Sequence, residues 1–331
     1  MQYIKLNTNE SPFPPSQKAQ QLAAQAAESL QLYSDPTCAK LREIIAADLG
    51  VAADEIVMTN GSDEILNFVF MAFCDSETPA AFPDITYGFY PVFANLNNIE
   101  YEEIPLMDDF TVRVSDYIGI NKTILIANPN APTGIALALE DIEKIVASNP
   151  DNVVVIDEAY VDFGTQSAVS LVGKYDNLLV TRTFSKSRSM AGARLGFGVG
   201  NRALIRDIET LRYSTNPYNV NAMTMAAGIG AMLDKDYFLE NCRKTAECRQ
   251  WTTEKLRELG FNVIDSITNF VFAKSSDISG KELYLKLKEK GVLVRHFDTE
   301  RLREYNRITI GSSEQMEKFI NIVREILEEK K

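Results

Sequence analysis

Short aliphatic runs recur along this chain, each closing on a polar turn that opens into a stretch of helical periodicity. Ile56-Val57-Met58 ends at Asn60-Gly61 and leads into 63–73, with Ser62 as the expected N-cap. Ile124-Leu125-Ile126-Ala127 ends at an Asn-Pro turn ahead of 138–148. Val153-Val154-Val155-Ile156 ends at Asp157. Leu178-Leu179-Val180 runs into a hydroxyl-rich loop, and Leu195–Val199 precedes a helical stretch at 201–212. Runs with no alternating polar face are strands buried on both sides. Alternating with helices, they predict a largely parallel sheet between helical layers. The 331 residues, 45% hydrophobic, supply enough apolar material for such a core beside a second, smaller one.

The flanks read differently. Residues 1–16 are rich in Asn, Ser and Pro and are expected to be irregular. A helix is predicted over 17–32, broken at Tyr33-Ser34-Asp35-Pro36 and resumed over 38–49. From 235 a long charged amphipathic helix runs to 259. Short strands at Phe261–Ile264, Phe270–Ala273, Val292–Arg295 and Arg307–Ile310 follow, with helices at 280–290 and from Ser313. This pattern predicts a smaller α+β unit.

Charge and rare residues exclude several classes of function. With 34 basic and 46 acidic residues the net charge is −12, which disfavours nucleic acid or an anionic membrane as partner. A bound phosphate then needs a local cationic site. No run approaches the ~18 apolar residues of a membrane helix. The polar start carries no secretory pattern, and Cys38, Cys74, Cys242 and Cys248 form no CxxC pair. Reduced thiols in a cytoplasmic protein are the expectation, with neither zinc nor disulfides. The single histidine, His296, rules out a His-rich metal site, so no metal is expected. Gly196-Phe197-Gly198-Val199-Gly200 lacks the GxGxxG spacing of a dinucleotide loop and reads as a strand.

In open α/β sheets ligands bind beyond the carboxyl ends of the strands, and the polar outliers of this chain sit there. Gly61-Ser62-Asp63 opens a helix whose N–H groups suit a phosphate, or is an ordinary cap. Asn128-Pro129-Asn130-Ala131-Pro132-Thr133-Gly134 is a stiff turn. Asp157, at the end of a buried strand, requires a partner. A protonated ring nitrogen would serve, as would a helix cap or a nearby cation. Lys186 lies between Thr183, Ser185 and Ser187, with Arg194 eight residues on. Taken singly it is a solvated surface lysine. Taken with its neighbours it is an amine poised to form an imine with a phosphate-bearing aldehyde, the phosphate held by hydroxyls and a guanidinium.

On these segments the chain resembles the fold-type I pyridoxal-phosphate aminotransferases. With Leu6-Asn7-Thr8-Asn9-Glu10-Ser11-Pro12, Tyr33-Ser34-Asp35 and Gly61-Ser62-Asp63-Glu64 it resembles the histidinol-phosphate branch, from Leu6 to Gly311. The resemblance implies a large domain built on a mostly parallel seven-stranded sheet in an α/β/α sandwich, and a small α+β domain. The expected organisation is an N-terminal segment at 1–30 packing with the small domain and a dimer partner, the large domain at 31–240 and the small one at 241–331. It implies pyridoxal 5'-phosphate as cofactor, with Lys186 as the Schiff-base lysine and proton shuttle, Asp157 at the ring nitrogen, Tyr160 donating to the ring oxygen and Tyr87 stacked on the ring. Gly61, Ser62, Asp63, Thr183, Ser185 and Arg194 would bind the phosphate, reached also by Tyr33 of a partner subunit. Arg307 and Arg295 would bind the acidic groups of the substrates, a phosphorylated or carboxylate amine and a 2-oxo acid.

The implied activity is ping-pong transamination between histidinol phosphate and 2-oxoglutarate, a step of histidine biosynthesis. A threonine-phosphate decarboxylase-like lyase and an aromatic amino-acid aminotransferase would use the same residues. A nucleotide-dependent oxidoreductase or a non-catalytic cofactor-binding regulator fits less of the sequence.

Two departures from the family pattern stand out. Ala131 occupies the position before Pro-Thr-Gly where the family carries an asparagine that touches the ring oxygen. The chain also begins almost at the Leu-Asn-Thr-Asn stretch, so Tyr3 is not an obvious replacement for the tyrosine that approaches substrate in the family. Of the remaining residues, His296 is read as structural or as lining the cleft, and Trp251 as packing. Asn269 is expected to face the cleft, and Tyr218 to form a dimer contact or a substrate wall.

Overall fold

The computed structural model describes residues 3–330, so the outermost residues of the expected segments 1–30 and 241–331 lie outside the described residues. A seven-stranded sheet forms the centre of the larger unit. In spatial order its strands are Ile56–Thr59, Gly196–Gly200, Leu178–Thr183, Val154–Asp157, Thr123–Ala127, Ala80–Pro83 and Tyr101–Ile104. All run parallel except Gly196–Gly200, which is antiparallel to both neighbours. Successive residues of each strand enter opposite cores. Ile56, Ile124, Ile126, Val154, Ile156, Leu178 and Val180 pack in one layer, and Val57, Leu125, Val155 and Leu179 in the other. This is why the runs show no polar alternation.

Five of these strands coincide with the aliphatic runs of the sequence. Ala80–Pro83 was missed because Ala-Ala-Phe-Pro has weak strand preference, and Tyr101–Ile104 because its Glu102 and Glu103 mark an exposed edge. The helix Ala222–Leu233 was missed as well. It is apolar on nearly every face and carries two glycines, so it has no amphipathic signature. A Cβ on Gly230 would lie 2.6 Å from Ala19 Cα, so this glycine lets the helix Gln17–Ala26 approach closely. That helix stops at Ala26 and tightens into a 3-10 turn at Ala27–Ser29, short of the expected residue 32. Beyond it Leu30 and Leu32 point to solvent, with no apolar face left to extend.

The smaller unit has a four-stranded antiparallel sheet in the order Arg295–His296, Tyr305–Thr309, Phe270–Ser275, Phe261–Ile264. The single strand expected at Val292–Arg295 is two. Val292–Leu293 turns away from Arg295–His296 to pair in parallel with Ile4–Lys5, so the start of the chain is not wholly irregular. Leu6 then enters the core of this unit among Val271, Ile308 and Phe319. The expected boundary at 240 falls inside one continuous helix, Lys235–Glu258.

Candidate active site

The carboxyl ends of the parallel strands converge on one edge, and the antiparallel strand begins there. Thr59 and Thr183 both pair with Gly196, which brings the turns following each of them to the same point. The approach is so close that a Cβ on Gly196 would lie 2.5 Å from Ser62 N. Gly61, at φ +80, is the cap of the helix Ser62–Phe73. Ser62 is its first residue rather than the cap, because only glycine takes that backbone turn without strain. The helix N-terminus therefore faces the hydroxyls of Thr183 and Ser185, which are 2.9 Å apart. Arg194 closes the cradle. Its guanidinium donates to Asp63 at 3.1 Å and to Ser185 Oγ at 3.4 Å, while Tyr87 donates to the same carboxylate at 2.7 Å. The Arg194–Asp63 pair is nearly half exposed, so it positions the guanidinium more than it stabilises the fold.

Asp157 is buried at the end of its strand. Thr181, its register partner, donates to one carboxylate oxygen at 3.1 Å, and Tyr90 donates to the other at 3.1 Å. Burial raises its pKa from the ordinary 3.8 to about 6 against the lowering effect of the two hydroxyls, and the nearby Asp63 charge adds to the rise. No cation pairs with it among the described residues. Glu158, beside it, is also pushed up by burial, to about 7, although Ser167, the Ala168 N–H and Arg182 all favour its ionised form.

Lys186, Asp157, Tyr87, Tyr160 and Ala131 line one cavity of about 180 Å³, together with the phosphate cradle. Lys186 donates from Nζ to Thr8 O at 3.3 Å and sits over the Tyr160 ring, 5.9 Å from its centroid. Its loop is held from behind, where Ser187 and Arg182 both bind Asp162 of the turn that follows Tyr160. Asn128 and Asn130 do not line the cavity. Asn128 is occupied with the Leu137 backbone, and Asn130 donates to Ile85 O and Thr133. The wall at this point is therefore the methyl group of Ala131.

The N-terminal segment crosses the cavity mouth. Asn7 O accepts from Arg307 at 3.1 Å, and Asn9 Nδ2 donates to Tyr160 Oη at 2.9 Å. Arg307 does not line the cavity itself. Its guanidinium lies 5.4 Å from the Phe270 ring, which meets Tyr160 edge-on at 5.1 Å. Burial disfavours its charge, Tyr160 offsets this only in part, and among the described residues no carboxylate pairs with it and its Nε has no partner. Arg295 is exposed, opposite Arg307 in the ladder. Tyr33 is 83% exposed and stacks on Tyr218 at 4.5 Å, away from this chain's own cavity.

His296 stacks on Tyr284 and faces Asp298, outside the cavity wall. Trp251 packs against the core of the smaller unit. Asn269 is buried and donates to Asn9 O at 2.9 Å. Sequence reasoning missed Tyr90, Thr181, Thr8 and Asn9. Thr181 is identifiable only once the strand order sets it beside Asp157.

These residues fit a phosphate-bearing, ring-nitrogen cofactor. The N–H groups, hydroxyls and guanidinium converge on an anion site, and an uncompensated buried carboxylate stands ready for a cationic nitrogen.

Comparison with known proteins agrees with this geometry. The family "Aminotransferase class I and II" matches residues 1–323. A histidinol-phosphate aminotransferase of Brachyspira hyodysenteriae is 47% identical over 98% of this chain and 92% of its own length. One from a Marinomonas species is 48% identical over 95% and 90%. The solved histidinol-phosphate aminotransferase of Sinorhizobium meliloti, in complex with pyridoxal-5'-phosphate, superposes with a TM-score of 0.92 at 22% identity, covering 99% of this chain and 92% of that one. The chain belongs to the class I and II aminotransferases.

Proposed function

We propose that this protein is a pyridoxal 5'-phosphate-dependent histidinol-phosphate aminotransferase, converting histidinol phosphate and 2-oxoglutarate to imidazole acetol phosphate and glutamate by a ping-pong route. The observation that carries this reading is one cavity holding Lys186, the unpaired buried Asp157 and the Arg194 cradle, in a chain 47% identical to an enzyme of that name. When bound, the cofactor supplies an electron sink for the carbon bearing the amine.

The chain's residues do the rest. Asp157 keeps the ring nitrogen protonated. Lys186 Nζ would take the proton from the substrate carbon and hold it for return within the same turnover. Tyr160 would offer its hydroxyl to the ring oxygen, and Tyr87, in the same cavity wall, would pack against the ring. The backbone of Ser62 and Asp63, with Thr183, Ser185 and Arg194, holds the phosphate. Arg307, with Arg295 beside it, receives the phosphate of one substrate and the carboxylate of the other in turn.

Tyr33 would reach the phosphate site of a second subunit, which makes the working unit a homodimer; its place is the cytoplasm. The exposed Leu30, Leu32, Tyr33 and Tyr218 supply an apolar surface for that contact. The large and small domains divide within the helix Lys235–Glu258, and residues 3–30 bridge both.

The test is a half-reaction screen on the loaded protein. Histidinol phosphate is expected to bleach the visible band faster than phenylalanine does, and 2-oxoglutarate to restore it. Release of CO₂ from threonine phosphate with no oxo acid present would instead identify a decarboxylase.

A further inference from the structure

We propose that Asn9 is a positioning residue that aims the Tyr160 hydroxyl hydrogen at the cofactor's ring oxygen, compensating for the donor that Ala131 lacks. The inference rests on the site reading above. Tyr160 Oη accepts from Asn9 Nδ2 at 2.9 Å. The Asn9 amide has one orientation, because Thr309 Oγ1 donates to its Oδ1 at 3.0 Å. Thr309 Oγ1 accepts the Asn9 backbone N–H at 3.0 Å and gives its one hydrogen to Asn9 Oδ1. Asn269 fixes the Asn9 carbonyl from the other side, and the residue is buried at φ +54. Hydrogens therefore run in one direction, from Thr309 through Asn9 to Tyr160.

Tyr160's own hydrogen has no protein acceptor among the described residues, and its side chain lines the cavity. A hydroxyl that accepts a hydrogen bond is polarised and donates the next one more strongly. Ala131 offers no donor, and Asn128 and Asn130 are occupied elsewhere. Tyr160 is then the donor to the ring oxygen that this stretch of wall provides. The groups that face it are Lys186 from the lysine loop, Arg307 from the small sheet and Tyr87 from the opposite wall. Arg307 and Thr309 share one strand, so the residue assigned to substrate and the residue that orders this hydrogen-bond chain are two positions apart on one element.

Donation to the ring oxygen withdraws its negative charge and loosens the proton held between that oxygen and the Lys186 nitrogen. The pH midpoint of the bound cofactor's absorbance reports this directly. Asn9→Gly keeps the positive φ and removes the donor, and is expected to raise the midpoint by about half a pH unit or more. Tyr160→Phe raises it further, and adding Asn9→Gly to Tyr160→Phe changes nothing more. Thr309→Val raises it in the same direction, while Thr309→Ser leaves it at the wild-type value, a check that does not depend on the glycine variant folding.

An unmoved midpoint in Asn9→Gly, with Tyr160→Phe raised, overturns the proposal and leaves the site reading intact. An equal increment in both backgrounds also overturns it, because the effect then bypasses Tyr160. An unmoved midpoint in Tyr160→Phe removes the ring-oxygen role of Tyr160, and the proposal with it.

Discussion

Replacing Asp157 by Asn is expected to stabilise the cofactor-free protein at alkaline pH while weakening the loaded one. Burial lifts the Asp157 carboxyl from 3.8 to about 6. At about 1.4 kcal/mol per pH unit, ionising it in the empty fold costs on the order of 3 kcal/mol. Because the folded value lies above the unfolded one, the stability linked to this group is full below about pH 4 and lost as pH rises through about 6. Asparagine has no charge to desolvate, and the rotatable hydroxyls of Thr181 and Tyr90 can serve its amide as they serve the carboxylate.

The pH-dependent part of the difference between the two proteins is therefore about 3 kcal/mol at pH 8, falling to roughly half of that at pH 5. Glu158 is raised as well but is common to both proteins, so it cancels. Urea denaturation of both apoproteins at the two pH values measures the difference. A stability gap that is the same at pH 5 and pH 8 would refute the reasoning. With cofactor added the order reverses, since the aspartate then gains the cationic partner that asparagine cannot use.

Gly196→Ala drives a Cβ to within 2.5 Å of Ser62 N, a backbone atom that cannot yield cheaply. It should lower stability by about 1–3 kcal/mol and raise the cofactor Kd at least about tenfold, read by denaturation and by titrating apoprotein. Arg307→Lys keeps the charge but loses the planar fork. KM for both substrates should rise about 10-fold or more with kcat much less affected, in steady-state kinetics with each substrate varied. Ala131→Asn places a second donor in the cavity wall and should lower the pH midpoint of the cofactor absorbance. An unchanged midpoint would show that the wall at 131 does not reach the ring oxygen.

What was legible in the sequence follows from what is local. Four strand ends carry polar residues at fixed offsets from aliphatic runs, and Lys186, Asp157, Ser62 and Arg194 stood out on that basis. The structure brings them to one cavity because those runs lie side by side in the sheet. The partners that act on them were not legible. Thr181 reads as part of a strand until the ladder sets it beside Asp157, and Tyr90 sits in a helix with no marked pattern. Asn9 is three hundred positions from Thr309 along the chain, and no spacing rule connects them. The edge strand Tyr101–Ile104 was hidden for the opposite reason, since an exposed edge selects charges that mask its periodicity.

The reversed strand Gly196–Gly200 has a consequence for how such a site can vary. Leu178–Thr183 leaves the sheet at the ligand edge, and Gly196–Gly200 re-enters at that same edge, so the intervening segment is a single short excursion. Lys186 and Arg194 both ride on it. The spacing of the Lys186 amine and the Arg194 guanidinium is therefore set within one loop, whatever lengths the crossover helices elsewhere take. Insertions that spare this loop, the Gly61–Asp63 turn and the strand end at Asp157 can reshape the substrate side without altering the spacing of Lys186 and Arg194.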